Sequence, residues 1–520
     1  SSRFRHQSGC LSLALAETLA PGMASGGSGG DLVAVLEKCH NPRNRSSLLK
    51  TCSALGLSSL WEVGSLAPST QPPDDSEAKH SVPLRCFAST ADCIVALRSE
   101  GFEVWATDLS CNSVELPSPG GTEATHSPVL SYLPERKPLA VVFGHEHYGI
   151  SEEMLAFAHK RINFPARGFT ESLNVGVAAA LILQRVLDLI RLLPSGPVGA
   201  APVERPASPS DTDAPKKAPV ASTASAAEEA PRRLRYAEAV LRRRTSRLII
   251  VLEPTVDPRD HAAVLRTCDC LGVQHVWLVP KGQEDFRRKR GTVKKRAQLL
   301  RREAEVAEMR AAIAEQGSVA PDGDSSLPAS KVSRQATTWL SVRTFASAAE
   351  CAQALAEESF EVWGVTSGSD AASLDFGASA LAAAPLAPGR LAIVFGHEEQ
   401  GLSSEMAAAV HRHVRFPANG FSYAVSCALV MQRILDMYGS LNGDMSDYER
   451  DALRRRWFIE LAKTTKQREE FPRWVLVPPE PLSDLRRPDE LHEDGHKLIA
   501  PKLLLKASAA QATLLEGVAQ

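Results

Sequence analysis

The chain has 520 residues, more than one typical hydrophobic core accommodates, so two or more domains are expected. Its 44% apolar and 23% charged residues are typical of globular proteins and exclude global disorder, and a net charge of −2 gives no overall attraction to polyanions. Ten cysteines without a C-x-x-C pair predict free thiols rather than a disulfide framework, and no apolar run is long enough to span a membrane.

Residues 1–30 are predicted to be a disordered or targeting N-terminus. A mildly apolar run from Leu11 to Ala20 follows Arg3 and Arg5, as in the remnant of a targeting peptide, and a disordered segment before Met23 is the alternative. The expected location is the cytoplasm, with an organelle as the alternative if this run is a targeting remnant.

Residues 31–193 are predicted to form a first α/β domain. The segment "DLVAVLEKCHNPRNRSSLLKTCSALGLSSLWEV" indicates a strand, a polar loop, a helix and a strand, and "GFEVWATDLS" indicates another strand. In "VVFGHEHYGISEEM" an apolar strand runs into two glycines, and Ser151 with acids behind it opens a helix. The strand "RINFPARGF" and the helix "SLNVGVAAALILQRVL" complete an alternation that predicts a parallel sheet.

The same order of patterns returns after a linker. Residues 194–230 hold seven prolines and no Leu, Ile or aromatic residue, so they cannot bury a core. Residues 231–480 then repeat the first domain, with "VLEPTVDPRDHAAVLRTCDCLGV", "IVFGHEEQGLSSEM" and "SYAVSCALVMQRIL" as the clearest matches. Residues 481–520 are predicted to be a C-terminal tail.

The second domain carries three dense Lys/Arg segments that the first lacks. They lie at Arg232–Arg247, in an insertion near 281–335, and at 448–474. Solvated helix faces are the ordinary explanation, but three clusters in one half of a nearly neutral chain favour a surface for a polyanion. Tyr236 and Trp457 lie among them, and packing of the terminal helices is favoured over stacking on bases.

Three ordered motifs in each half resemble the SpoU/TrmH branch of the SPOUT methyltransferases. In the first half they read "NRSSLLKTCSALG", "FGHEHYG" and "PARGFTESLNVGVAAA"; in the second they read "DHAAVLRTCDCLG", "FGHEEQG" and "PANGFSYAVSCA". The second half is similar to the tRNA guanosine-2′-O-methyltransferases of that branch, whose terminal helices help to hold tRNA.

The resemblance implies two tandem parallel-sheet SPOUT domains, each with a C-terminal trefoil knot, a rare exception to unknotted topology. It implies S-adenosylmethionine as the cofactor, no metal, and an active site closed across a two-fold interface. We therefore expect the halves to pair as an intrachain pseudo-dimer, which is compatible with a monomer in solution. The implied function is RNA 2′-O-ribose methylation, with the D-loop guanosine at tRNA position 18 as target. A ribosomal RNA target, and an RNA-binding protein that has lost catalysis, are the alternatives.

The motifs carry over to single residues of the first half. The matching catalytic residues are Asn44, Glu146, Ser172 and Asn174. Lys50 stands where the family has a catalytic Arg, which matters because Arg presents a planar fork to phosphate and Lys a point charge. By local physics alone, Glu146 could cap a loop, and Ser172 and Asn174 could cap a helix. By position, the cofactor contacts fall near Thr107, Leu109, Gly144, Ile162 and Leu173.

The second half keeps the family's Arg at Arg266 and its Glu at Glu398, but Asp260 replaces the Asn of the first motif. Aligning Ser422 with Ser172 places Ala424 at the Asn174 position, and the segment is shorter than in the first half. We expect the second half to have lost its cofactor site and to supply Arg266 and the RNA-binding surface. The predicted RNA contacts are Arg232, Arg233, Arg242, Arg243, Arg244, Arg454, Arg455 and Arg456.

Overall fold

A computed structural model describes residues 32–39, 41–64, 82–119, 137–145, 149–170, 173–191, 230–255, 257–279, 333–375 and 389–486. The predicted N-terminal segment, nearly all of the linker, the basic insertion up to residue 332, and Glu146 and Ser172 lie outside these residues. None of the described helices is long and apolar enough to cross a membrane. The described cysteines are free thiols, as predicted.

The first half forms a parallel sheet with the strand order β3-β2-β1-β6-β4-β7-β5. Its strands are β1 Leu32–Glu37, β2 Ser59–Val63, β3 Leu84–Phe87, β4 Glu103–Thr107, β5 Val114–Glu115, β6 Leu139–Phe143 and β7 Lys160–Asn163. Its helices are α1 Pro42–Leu55, α2 Thr90–Ser99, α3 Glu152–Phe157 and α4 Val175–Arg191.

The second half repeats this topology as β10-β9-β8-β13-β11-β14-β12, which confirms two tandem α/β units with parallel sheets. Its strands are β8 Thr245–Leu252, β9 Val273–Leu278, β10 Ser341–Thr344, β11 Glu361–Val365, β12 Ala372–Ser373, β13 Leu391–Phe395 and β14 Arg412–Arg415. Its helices are α5 Arg232–Leu241, α6 Pro258–Leu271, α7 Ser333–Trp339, α8 Ala348–Glu357, α9 Ser404–Ala409, α10 Tyr423–Met437, α11 Asp447–Leu461, α12 Thr465–Glu470 and α13 Arg473–Leu476, with a 3-10 turn at Gly439–Leu441.

The central strands are buried on both faces because helices cover each side of the sheet. Every residue of β1 and β6 is buried, as their continuous apolar runs predict. Helix α1 begins where Asn41 caps it and Pro42 fixes its first turn, and it ends at Gly56, whose φ of 72° is left-handed. Helix α6 has the same design, with Asp257 as cap and Gly272 at its end.

The strand order positions the functional loops. Strands β6, β4 and β7 are neighbours, and all pair in parallel. Their carboxyl ends therefore lie along one edge of the sheet, so the loops that follow Thr107, Phe143 and Asn163 are brought together there.

The two halves contact each other through α4 and α10. Arg185 of α4 donates to both carboxylate oxygens of Asp436 at 2.6 and 2.7 Å, and Arg433 of α10 lies 3.0 Å from Asp188. All four side chains are buried. Around them, Val177, Ala180 and Leu181 of α4 join the hydrophobic core of the second half.

The C-terminal residues close the fold. Helix α11 begins with a reciprocal capping box between Ser446 and Glu449 and packs on α5. The following chain runs along α5, where Leu482 N donates to Arg235 O, and the Arg486 guanidinium then donates to Ser113 O in the first half. Residues 481–486, assigned to the tail by the sequence, are thus packed against both halves.

Candidate active site

The glycine loop after β6 turns back on itself within five residues. His145 N donates to Gly149 O, and Gly149 N donates to His145 O. A Cβ added to Gly144 would lie 2.3 Å from the carbonyl carbon of Gly149, so only glycine fits there. The second half makes the same bridge between His397 and Gly401. Glu146 lies outside the described residues, and its counterpart Glu398 is exposed.

A buried carboxylate that the sequence analysis missed fixes the end of this loop. Glu37, at the end of β1, accepts hydrogen bonds from Ser151 N at 2.8 Å, from Ser151 Oγ at 2.6 Å and from Thr90 Oγ1 at 2.6 Å. In the second half, Glu253 accepts from Ser403 N at 2.9 Å. The repeated "VLE" at the end of the first strand of each half is the signal that could have revealed this pair.

The structure brings two of the predicted catalytic residues together. Asn174 Nδ2 donates to Asn44 Oδ1 at 2.8 Å, and Asn44 is buried on the first turn of α1. Asn174 Oδ1 also accepts from Gly176 N at 3.0 Å, so the ordinary helix-cap role is present alongside the contact with Asn44. Lys50 lies farther along α1 and is half-buried.

The predicted cofactor residues lie along the carboxyl edge of the first sheet. Thr107 Oγ1 donates to Val142 O at 3.0 Å, and Asp108 N donates to Ile162 O at 2.9 Å, which ties β4 to its neighbours. Leu109 is 40% exposed beyond this edge. Leu173 is half-buried and packs on the core of the second half.

An open cavity of about 490 Å³ lies beside Leu109, between the two halves. This volume is within the range of small-molecule sites. The first half lines it with Leu109, Glu115, Asn163, Phe164, Ala166 and Phe169; the second half lines it with Arg232, Arg233, Tyr236, Leu461, Leu485 and Arg486. Its wall is therefore completed only when the halves are together.

The loop between β7 and α4 is held by α6 of the other half. Arg167 N donates to Cys270 O at 2.8 Å, and Thr170 N donates to the Asp269 carboxylate at 2.6 Å. A Cβ on Gly168 would lie 1.9 Å from Asp269 O, so glycine permits this approach. Arg266 lies one helical turn before Asp269 and Cys270 and thus shares their face of α6. Burial lowers the pKa of its guanidinium, which the nearby Cys270 and Asp269 oppose.

The corresponding face of α1 turns toward the second half. Ser47 Oγ lies 3.4 Å from Ser422 Oγ, and Lys50 is one turn farther along that face. Lys50 and Arg266 hold the same position in their helices, eight residues after Pro42 and Pro258. Arg266 shares the face of α6 that binds the first-half loop, and Lys50 shares the face of α1 that carries Ser47.

The second-half counterpart of the Asn44 site is acidic. Burial and the carboxylates of Glu398 and Asp257 raise the pKa of Asp260 to about 6. The alignment of Ser422 with Ser172 is wrong. Gln184 and Gln432 hold equivalent places in the paired helices, and Asn174 and Ser422 each precede them by ten positions and stand just before the helix. Ser422, rather than Ala424, is the counterpart of Asn174.

Two of the predicted RNA contacts are wrong. Arg244 is fully buried against Asp269, and Arg454 is buried against Glu238, so neither guanidinium is available to a polyanion. Arg243 and Arg456 are half-buried and donate to the carbonyls of Ser483 and Leu340. The remaining predicted contacts are exposed, and these are Arg232, Arg233, Arg242 and Arg455.

Comparison with known proteins gives matches to both halves. The sequence model of the SpoU rRNA Methylase family matches residues 31–184 and 299–430. A tRNA (guanosine(18)-2′-O)-methyltransferase of Thermus thermophilus is 36% identical over 154 residues, which are 29% of this chain and 72% of that protein. The Escherichia coli K12 protein of the same name is 30% identical over 157 residues, 61% of its length. The crystal structure of the Aquifex aeolicus TrmH/SpoU tRNA modifying enzyme has 25% sequence identity and a TM-score of 0.25, covering 31% of this chain and 75% of that one.

Proposed function

The chain belongs to the SpoU rRNA methylase family, and on that basis we propose that it methylates a ribose 2′-hydroxyl of tRNA, at the D-loop guanosine of position 18. S-adenosylmethionine is the proposed cofactor. The observation that carries this proposal is the contact between Asn44 and Asn174 beside a loop that α6 of the second half holds. Asn44 and Asn174 belong to the first half and Arg266 to the helix of the second half that binds this loop, which supports a site formed by both halves.

The proposed cofactor site is the cavity beside Leu109. Its volume of about 490 Å³ suits a ligand of this size, and the segments that follow β4 and β7 at the carboxyl edge of the first sheet line it with Leu109, Phe164 and Ala166. Of the predicted cofactor residues, Leu109 lines this cavity, and Thr107, Gly144, Ile162 and Leu173 would contact the part of the cofactor that extends beyond it. When bound, S-adenosylmethionine supplies an electrophilic methyl group on its sulfonium.

The other predicted catalytic residues, which are not part of the cavity lining, would supply the rest of the chemistry. Transfer of that methyl group to the ribose 2′-oxygen, with the thioether as leaving group, would require the hydroxyl to give up its proton. We assign that proton to Glu146, because a carboxylate is ionised and can accept it at neutral pH. Asn44, Ser172 and Asn174 orient the ribose through hydrogen bonds, and Arg266 binds the adjacent phosphate with its planar fork. Lys50, on α1 of the first half, would then face the second-half counterpart of this site.

The RNA surface of this proposal is on the second half. Arg232 and Arg233 at the start of α5 border the cavity; Arg242, which follows the end of α5, and Arg455 on α11 are exposed. Each phosphate contact that these residues make releases counterions, so binding should weaken with salt by a slope of about −0.9 per contact, taking the duplex DNA value as a guide.

The pairing of the halves is proposed to be a pseudo-dimer, with a trefoil knot in each half. The reciprocal contacts Arg185–Asp436 and Arg433–Asp188 support it, because in a two-fold interface residue i meets j and j meets i. The proposed domains are residues 31–193 and 231–480, joined by the linker 194–230.

Methyl transfer can be measured with labelled S-adenosylmethionine and a tRNA transcript. We expect label on the ribose of guanosine 18, abolished by Glu146→Ala and retained by the matched variant Glu398→Ala. Replacing guanosine 18 in the transcript should remove the signal.

Tight tRNA binding without any methyl transfer would contradict the enzyme and favour an RNA-binding protein. Methylation that survives Glu146→Ala but is lost in Glu398→Ala would move the active site to the second half. Label found only in ribosomal RNA would support ribose methylation but would contradict tRNA as the substrate.

A further inference from the structure

The side chain of Phe169 leaves its own half and enters an aromatic cluster of the second half. Its ring stacks on Trp339 with centroids 4.0 Å apart and an interplanar angle of 24°. Trp457 meets it edge-on at 5.1 Å, and Tyr236 lies at 5.6 Å. We call Tyr236, Trp339 and Trp457 the aromatic clamp.

The clamp is itself fixed by polar contacts. Trp339 O accepts from Gln274 Nε2 at 3.0 Å, and Trp457 is fully buried beneath the guanidinium of Arg244, 5.4 Å from its ring. Tyr236 donates its hydroxyl to Gly168 O at 2.9 Å. The packing role expected of Tyr236 and Trp457 is therefore confirmed, and it extends to the first half.

The clamp and α6 together hold four consecutive residues of the first half. Arg167 and Thr170 are bound through their backbone, Gly168 through its carbonyl, and Phe169 through its ring. This stretch leads directly to Leu173 and Asn174, and both Ala166 and Phe169 line the cavity. The position of the cavity wall thus depends on residues of the other half.

The corresponding segment of the second half, which follows β14, has a different packing. It is shorter, and Phe421 packs edge-on against Phe416 of the same half at 5.7 Å. Ser422 of this segment approaches Ser47 of the first half to 3.4 Å.

We propose that Trp339 is a positioning residue for methyl transfer, which orders the cofactor loop of the first half through its stack on Phe169. Trp339 is not among the residues that line the cavity, and its stack on Phe169, which does line it, connects Trp339 to the cofactor site. This inference rests on the proposed function for its effect on catalysis, but the ordering of the loop is independent of it.

The test compares full-length Trp339→Ala, Trp339→Phe and the matched control Phe421→Ala. Trp339→Ala should raise the KM for S-adenosylmethionine about tenfold, with a smaller change in kcat, because a lost aromatic stack loosens the loop rather than the reacting groups. Trp339→Phe keeps the stack and should restore most of the affinity. Phe421→Ala should leave the KM unchanged.

Hydrogen exchange measures the effect of the aromatic clamp on the order of the loop independently of methyl transfer. Amides of residues 166–174 should exchange faster in Trp339→Ala than in the wild type, and at the wild-type rate in Phe421→Ala. If Trp339→Ala does not fold, Trp339→Leu replaces it in both measurements. Wild-type exchange and an unchanged KM in the alanine or leucine variant would overturn the inference. A wild-type protein that shows no methyl transfer would overturn the proposed function, and the exchange data would still decide the clamp.

Discussion

Residues 164–174 of the first half and 416–422 of the second occupy corresponding places after β7 and β14, yet they are held in different ways. Asn174 follows Gly168 by six positions, whereas Ser422 follows Gly420 by two. The longer segment reaches α6 and the aromatic clamp, and it places Asn174 on Asn44. The shorter one comes within 3.4 Å of Ser47.

The two halves contribute alike to the helix contacts of their interface but differ in the segments beside those helices. The helices α4 and α10 meet symmetrically, through the same Gln, Arg and Asp positions. The extra residues around them are one-sided, because α5, α7 and α11 all belong to the second half and bear on the first-half loop. The contacts between α4 and α10 are therefore reciprocal, whereas the contacts of the segments that follow β7 and β14 are not.

The largest effect is expected for the buried ion pairs between α4 and α10, where the two halves make reciprocal contacts. Arg185→Ala leaves Asp436 without its bidentate partner in a buried site, so the free energy of unfolding should fall by about 3–5 kcal/mol. Arg433→Ala should cost less, because Asp188 also lies 3.5 Å from Arg191. Urea denaturation measures both, with Arg191→Ala, half-exposed, as a control that should change stability by less than about 1 kcal/mol. Equal losses in Arg185→Ala and Arg191→Ala would mean that the interface does not depend on this pair.

The equivalent cations Arg266 and Lys50 can be compared directly. Arg266→Ala should lower kcat/KM about 100-fold, since removal of a phosphate anchor of about 2.7 kcal/mol has that effect. Arg266→Lys should recover part of the loss, because the charge remains but the fork does not. Lys50→Ala should lower kcat/KM by a smaller factor. Initial rates with tRNA varied below its KM at saturating S-adenosylmethionine provide the measurement. A Lys50→Ala defect larger than that of Arg266→Ala would reverse the assignment.

The paired carboxylates Glu37 and Glu253 test which glycine loop is used. Glu37→Gln disturbs three hydrogen bonds that fix Ser151 and Thr90, so methyl transfer should fall about tenfold through misplacement of the loop. Glu253→Gln disturbs the corresponding bond to Ser403 in the half without the proposed site, and the rate should stay near that of the wild type. Thermal melts of both variants serve as the control for folding. A larger rate loss in Glu253→Gln would indicate that the second loop is the functional one.

The smallest effect is expected at Asp260, whose pKa is raised to about 6 by burial and by the carboxylates of Glu398 and Asp257. A carboxyl with a raised pKa in the folded state binds its proton more tightly there than in the unfolded chain. Stability therefore falls as the pH rises from the ordinary value near 3.8 to about 6, and it stays lowered above that. Asp260→Asn should raise the melting temperature at pH 7.5, and this gain should shrink as the pH approaches 4. A gain that does not depend on pH would rule out the ionised carboxylate as its cause.

Much of the fold follows from the sequence, because its signals are local. The apolar runs of β1 and β6, the cap at Asn41 and the left-handed Gly56 fix elements with few alternatives. The sequence also predicts the duplication of the domain, because motifs that recur in the same order imply the same strand and helix order. Asn44 and Asn174, which the motifs single out, are in contact in the structure, and their catalytic role stays a prediction.

The sequence by itself therefore determined two parallel α/β units, their order and the residues worth testing. Only the tertiary structure decided which basic side chains are buried: Arg244 and Arg454 look like their exposed neighbours in the sequence, but each meets a carboxylate supplied by another element. It also decided the equivalence of Ser422 with Asn174 and the reach of Trp339 to Phe169. These relations join residues far apart in the chain, and neither periodicity nor motif spacing carries information about which surfaces meet once both halves have folded.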